Sequence, residues 1–158
     1  MDDALLEQAT VKLREAGVRM TPQRRVILEY LYQQRNHPTA DDIHREIGAK
    51  YPEFRALSVT TIYNNLKTLK KYGLIKEIYT QAGIARYDSN IDHHHHLLCT
   101  VCGSIADYYY PLRFPVDELR IDSDFTVEDI YVELRGICRL CKTQPELQAV
   151  SQPDQKVT

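Results

Sequence analysis

The sequence predicts an α+β chain in two parts, a winged helix-turn-helix followed by a small mixed domain pinned by a metal ion. Two observations carry this. Within residues 1–88, stretches of helical periodicity give way to two short β-like runs, the order of a winged helix. Beyond them, Cys99/Cys102 and Cys138/Cys141 repeat one C-x-x-C spacing. Each such knuckle lets two thiolates reach one ion, and two knuckles complete a tetrahedron about zinc.

The 158 residues suffice for one medium domain or two small ones. Two half-size domains would each be short of core, which leaves a structural metal something to stabilise. No run approaches the length of a membrane span, and the acidic start Met1-Asp2-Asp3 is unlike a signal peptide. A cytoplasmic protein with no membrane partner is expected, and in that compartment paired cysteines serve as metal ligands before disulfides. The net charge of -2 hides an asymmetry. Residues 1–80 carry 13 Lys/Arg against 10 Asp/Glu, and residues 81–158 carry 7 against 12. A basic front and an acidic rear fit a nucleic-acid reader joined to something else, although a small positive excess is equally an ordinary solvated face.

In order along the chain, residues 5–16 place Leu5, Leu6, Ala9, Leu13 and Ala16 at helical spacing and stop at Gly17. Thr21-Pro22 reads as an N-cap followed by proline at N1, opening a second helix that Asn36-His37-Pro38 breaks. Thr39 caps a third helix with Asp41 and Asp42 in its first turn, where they complement the dipole, and Gly48 near its end. Ser58 caps a fourth, residues 59–72, closed by Gly73. Residues 74–79 and 84–87 then read as two strands joined by a turn at 80–83.

In a winged helix the fourth helix enters the major groove. Away from Ile62, Leu66 and Leu69 it offers Thr60, Thr61, Tyr63, Asn64, Asn65 and Lys67. Hydroxyls and lysines suit phosphates, and Asn amides suit adenine edges. The wing adds Arg86 and Lys76. The plainer reading of all these is a solvated polar face.

Past Asp88 the composition turns to histidine, cysteine and short strands. Residues 104–110 and 125–134 read as strands, 115–121 as a short helix, and 145–158 as a mobile tail. The expected division is therefore 1–88 for the winged helix, 89–144 for the metal-binding domain and 145–158 for the tail. The segment 92–107 concentrates the chemistry, with four of the six histidines leading into the first knuckle. In an extended segment His94 and His96 share one face and His93 and His95 the other, about 7 Å apart along the strand, so a second metal can sit on one face. Idle surface histidines are the alternative. His37, before a proline at a helix junction, reads on its own as a local cap, and His44 as ordinary.

Together these residues resemble the ferric uptake regulator superfamily, and most of all its peroxide-sensing branch. The resemblance covers residues 5–142. It rests on Arg19-Met20-Thr21-Pro22-Gln23-Arg24, on His37-Pro38-Thr39-Ala40-Asp41-Asp42-Ile43 and on Thr61-Ile62-Tyr63-Asn64-Asn65-Leu66. The segment from His94 to Gly103 and the rear pair Cys138/Cys141 complete it. The resemblance implies a dimeric, metal-dependent DNA-binding repressor with a C-terminal α/β dimerisation domain. It implies a structural Zn(2+) on Cys99, Cys102, Cys138 and Cys141. It gives the regulatory ion, Fe(2+) or Mn(2+), to His37, Asp88, His94, His96 and Asp107. Imidazoles and carboxylates suit such ions better than a thiolate-seeking one.

In iron-sensing members the positions of Asp88 and Asp107 are usually glutamate, whereas peroxide sensors carry aspartate as here. His93 and His95 stand where iron-sensing members place ligands of an additional site. Phe114 and Asp129-Ile130 stand where its remaining ligands would be.

Three functions follow as expectations. The first is a repressor released when peroxide oxidises a ligand histidine, and the second is a repressor answering to Fe, Mn or Zn availability alone. The third is a non-haem metalloenzyme, disfavoured because no nucleophile or substrate-pocket signature accompanies the histidines.

Overall fold

Caps and helix breakers set the architecture of the front of the molecule. The computed structural model describes residues 2–79, 83–110, 124–127 and 132–144, in two units, Met1–Asp92 and His93–Thr158. The division falls four residues beyond the expected end of the winged helix at Asp88. The helix expected over 115–121, the tail 145–158 and most of the wing turn lie outside the described residues.

In the first unit, α1 (Asp2–Glu15) ends with Gly17 in the left-handed region at φ +72°, a conformation open to glycine at no steric cost. The Thr21 hydroxyl accepts from the Arg24 N–H at 3.2 Å and starts α2 (Pro22–Gln34). Thr39 and Asp42 form a reciprocal capping box at the head of α3 (Ala40–Lys50). Gly48 lies in the last turn of α3, near its end as expected. A 3-10 turn over Pro52–Phe54, which local reading missed, leads to Ser58, whose hydroxyl caps α4 (Val59–Lys71). The wing is β1 (Lys76–Tyr79) paired antiparallel with β2 (Ala85–Asp88). Leu74 and Ile75, expected in the first strand, instead feed the core, 5 % and 2 % exposed.

One apolar cluster unites this unit. Leu13 from α1, Ile27 and Leu31 from α2, Ile43 and Ile47 from α3, and Ile62, Leu66 and Leu69 from α4 are all fully buried together. Burying each such side chain contributes about 1.5–3 kcal/mol, so the helices need no ligand to hold them.

Among its described residues, the second unit holds a three-stranded sheet of order β4-β3-β5. Central β3 (His95–Cys99) pairs antiparallel with β4 (Ile105–Tyr108) and parallel with β5 (Glu133–Gly136). A single-turn helix, α5 (Arg139–Thr143), follows β5. The strand expected over 125–134 is displaced: residues 125–127 are irregular and β5 begins at Glu133, because pairing with β3 from His96↔Glu133 onward selects the strand. Leu98, Cys99 and Cys141 are the buried apolar side chains among the described residues of this unit, beside buried His94, His95 and His96. No helix among the described residues is long and apolar enough to cross a membrane.

Candidate metal centres and nucleic-acid face

The four cysteines come together at one end of the rear sheet. At the end of β3, the Gly103 N–H donates to the Cys99 carbonyl and the Cys99 N–H to the Ser104 carbonyl, both at 2.9 Å. Gly103, at φ +69°, permits this tight turn, which brings Cys102 back beside Cys99. The Thr100 N–H donates to the Gly136 carbonyl at 2.8 Å and ties the turn to the end of β5. Two residues on, Cys138 is the N-cap of α5, and Cys141 sits within that single turn.

The four sulfurs lie within 4.8 Å of one another, and Cys102 Sγ is 3.8 Å from Cys138 Sγ. A tetrahedron built on metal–sulfur bonds of about 2.3 Å has edges of about 3.8 Å. The electrostatics point the same way. Burial pushes the Cys99 thiol up, but the backbone N–H groups of Cys102, Cys138 and Val101 outweigh it and bring it down to about 6. Ser104, through its hydroxyl and its N–H, lowers Cys102. Burial and the neighbouring sulfurs push Cys141 up to about 12. Part of the cluster thus favours thiolate while its charge makes the remainder harder to ionise, and a shared dication removes the conflict. The donor set fits zinc.

A second, sulfur-free set occupies the other end of β3. His94 and His96 are two residues apart and share a face, and the register His96↔Asp107 puts Asp107 on that face from β4. Their rings meet with Nε2 atoms 3.0 Å apart, and His94 Nε2 lies 3.6 Å from Asp107 Oδ1. One ligand atom from each of the three falls within 4.8 Å of the others. Separations near 3.0 Å match adjacent ligands at about 2.1 Å from a common ion, so this set also fits a divalent metal. The Tyr109 hydroxyl, which local reading overlooked, donates to Asp107 Oδ2 at 2.7 Å. Its signal was available, since a residue two places beyond Asp107 shares that face of an extended chain. His95, on the opposite face, stacks edge-on with His93 at 5.2 Å between ring centres.

The front unit holds its own pair of donors. His37, in the α2–α3 connection, and Asp88, at the end of β2, are 2 % and 4 % exposed, with His37 Nε2 3.7 Å from Asp88 Oδ2. His37 is not a helix cap, since Thr39 fills that position.

On α4, Thr60, Tyr63, Asn64 and Lys67 are exposed as expected, and Thr61 is half-buried with its hydroxyl 2.9 Å from Ser58 Oγ. Asn65 departs from the expected polar face. It is 8 % exposed, and its amide donates to the Thr61 carbonyl at 2.8 Å because the position turns toward the core. Tyr63, Asn64 and Lys67 line a cleft of about 310 Å³ whose far side is Glu77 and Tyr79 of β1. Lys76 donates to the Asp92 carbonyl at 2.9 Å, and the Arg86 guanidinium to the His37 carbonyl at 3.0 Å.

A winged-helix unit joined to a sheet that carries four clustered cysteines and a histidine–carboxylate set is the architecture of a metal-binding regulator. The chain belongs to the ferric uptake regulator family, whose sequence model matches residues 15–135. It is 41% identical over 143 residues to the peroxide-responsive repressor PerR of Staphylococcus epidermidis, covering 90% of this chain and 93% of that one. Against the PerR of Staphylococcus aureus it is 41% identical over 138 residues, with 87% and 91% covered. Among solved structures, a zinc-bound manganese uptake regulator is 27% identical with a TM-score of 0.60, covering 84% of this chain and 98% of that one. The Helicobacter pylori ferric uptake regulator, 22% identical with a TM-score of 0.68 over 90% and 94%, shares the fold.

Proposed function

We propose that this protein is a metal-dependent, peroxide-responsive transcriptional repressor that acts as a homodimer on double-stranded operator DNA in the cytoplasm. The observation that carries the reading is the coexistence, on one strand, of two donor sets with opposite chemistry. A closed set of four thiols has no vacancy for a reactant and serves as a staple. A set of imidazoles and carboxylates suits Fe(II) or Mn(II), which exchange and can react. The identity with peroxide-responsive repressors supports the same assignment.

In this reading a single regulatory ion takes its ligands from both units, His37 and Asp88 from one and His94, His96 and Asp107 from the other. Holding five ligands on one ion favours one relative pose of the units, and that pose is the DNA-competent state. Thr60, Tyr63, Asn64 and Lys67, with Thr61 beside them, face the major groove. Leu97, Leu134 and Ile137 leave an apolar face on the rear sheet, each 39–40 % exposed, which a second copy would cover.

Ferrous iron, when bound, would supply the electron that breaks the O–O bond of peroxide and recover it from the attacked imidazole. Net, one H2O2 oxidises one imidazole, that of His37 or His94, by two electrons, adding one oxygen and leaving water. An oxidised imidazole is a poorer ligand, so the ion is released and the population shifts away from the DNA-bound pose. The test is an operator titration with Fe(II)- and Mn(II)-loaded protein before and after dilute peroxide. Release is expected from the iron form alone, with one added oxygen on a peptide containing His37 or His93–His96. Equal release from both forms, or oxidation confined to the cysteines, would leave a regulator of metal availability without peroxide chemistry.

A further inference from the structure

The connection between α2 and α3 carries two side-chain-bearing residues in the left-handed region, Arg35 at φ 44° and His37 at φ 51°. Arg35 ends α2, where such a conformation is common. His37 has no such role. Left-handed backbone is sparsely populated for a residue with a Cβ, and the following Pro38 restricts its conformation further. A conformation of this kind persists where its surroundings over-determine it.

The surroundings here are β2. The Arg86 guanidinium donates through Nη1 to the His37 carbonyl, and the Tyr87 N–H donates to the Pro38 carbonyl, both at 3.0 Å. Arg86 Nε is closed off from solvent, and the residue as a whole is half-buried. Asp88, two residues further along the same strand, shares a face with Arg86 and faces the His37 imidazole at 3.7 Å. One strand therefore grips the backbone of His37 at one position and meets its side chain at the next.

We propose that Arg86 is a positioning residue of the regulatory metal set. It holds the left-handed His37 backbone so that the imidazole stands beside Asp88, and its primary task is not a contact to DNA phosphate. The proposal rests on the reading that His37 and Asp88 bind the regulatory ion. Without the guanidinium the connection relaxes toward commoner backbone angles and the imidazole leaves the carboxylate. The apparent metal affinity then falls in proportion to the fraction of molecules still in the competent arrangement.

The experiment uses full-length, zinc-loaded protein and manganese(II) as the probe, with free ion followed by electron paramagnetic resonance. Arg86→Met should bind Mn(II) about tenfold more weakly, the result of a competent fraction near one tenth. Arg86→Lys, which keeps one donor, should fall between it and the parent. Zinc content and the melting temperature without Mn(II) should stay at parental values in both. At saturating Mn(II), operator affinity and its salt dependence should return to the parental level.

Parental Mn(II) affinity in Arg86→Met would overturn the proposal. So would an operator affinity that stays low at saturating Mn(II) with a salt slope reduced by about one, the signature of a lost phosphate contact. If Arg86→Met does not fold, Arg86→Lys decides, and an affinity equal to the parent's overturns the proposal. His37→Ala, titrated alongside, separates the two levels of inference. Undiminished Mn(II) binding in that variant would fail the regulatory-site reading itself, whereas its loss with Arg86→Met unchanged would fail the positioning role alone.

Discussion

The two units are stabilised by different physics. The front unit closes over an apolar cluster drawn from α1 to α4, from Leu74 and Ile75 and from β2 of the wing, with side chains such as Leu13, Ile43 and Leu69 wholly excluded from water. In the rear unit, the buried apolar side chains among the described residues are Leu98 and two cysteines, and the other buried side chains are histidines. Hydrophobic burial is non-directional and scales with area. Ligand bonds are directional and depend on an ion. The front should fold wherever its sequence is intact, and the rear only where zinc is available.

The largest effect should come from the rear. Cys99→Ser removes one of four zinc ligands, and structural zinc contributes about 10 kcal/mol or more to folding. The variant is expected to purify without zinc, to lose hydrogen-exchange protection in β3 and β5, and to keep a cooperative melt of the helical front. Continued protection of β3 in zinc-free protein would erase the contrast, since apolar contacts alone would then be holding the sheet.

The converse substitution is Leu69→Ala, at a position 0 % exposed in the front core. Emptying such a site costs about 2–5 kcal/mol through lost transfer energy and the cavity left behind. Urea unfolding followed by helical circular dichroism should show the loss, while zinc content stays at the parental value. A simultaneous loss of zinc would mean that the units fold as one cooperative system.

A smaller change refines the picture of the front. Thr39→Ala removes half of the capping box on α3 and should cost about 1 kcal/mol at neutral pH. It should also change the response to acid. The Thr39 hydroxyl is the first cause holding the Asp42 carboxyl below its ordinary value of 3.8, with Arg45 adding to it against burial. A lowered folded value means that ionised Asp42 stabilises the protein above that ordinary value and loses its contribution as acid protonates it. The parent should therefore lose more stability than Thr39→Ala between neutral pH and about pH 3, as read from urea midpoints. Parallel acid limbs would place the depression of Asp42 elsewhere.

The front was the more legible unit in the sequence because its signals act over short distances. Thr21-Pro22, the Thr39/Asp42 box, Ser58 and Gly17 each operate within a single turn, so reading them locally yields α2, α3 and α4 within a residue or two, while α1 begins three residues before the expected Leu5. The two C-x-x-C knuckles and the alternation of His94 and His96 were equally local and legible, whereas His37, Asp88 and Asp107 were named only through the family resemblance. Surroundings that were not legible depend on how the elements pack. Asn65 has the chemistry of a base-reading amide, but its angle about α4 turns it inward to Thr61. Arg86 has the chemistry of a phosphate contact, but the chain carries it to the carbonyl of His37, 49 positions earlier.

By itself, then, the sequence determined the caps of α2, α3 and α4, the wing and the close spacing of its cysteines and histidines, since periodicity and ligand spacing are properties of neighbouring positions. The tertiary structure decided where β5 begins, that α5 carries Cys141, that Asp107 stands opposite His96, and that His37 adopts a left-handed backbone under the grip of Arg86. Each of these is a pairing between distant segments, and its free energy exists only once both partners have been brought together.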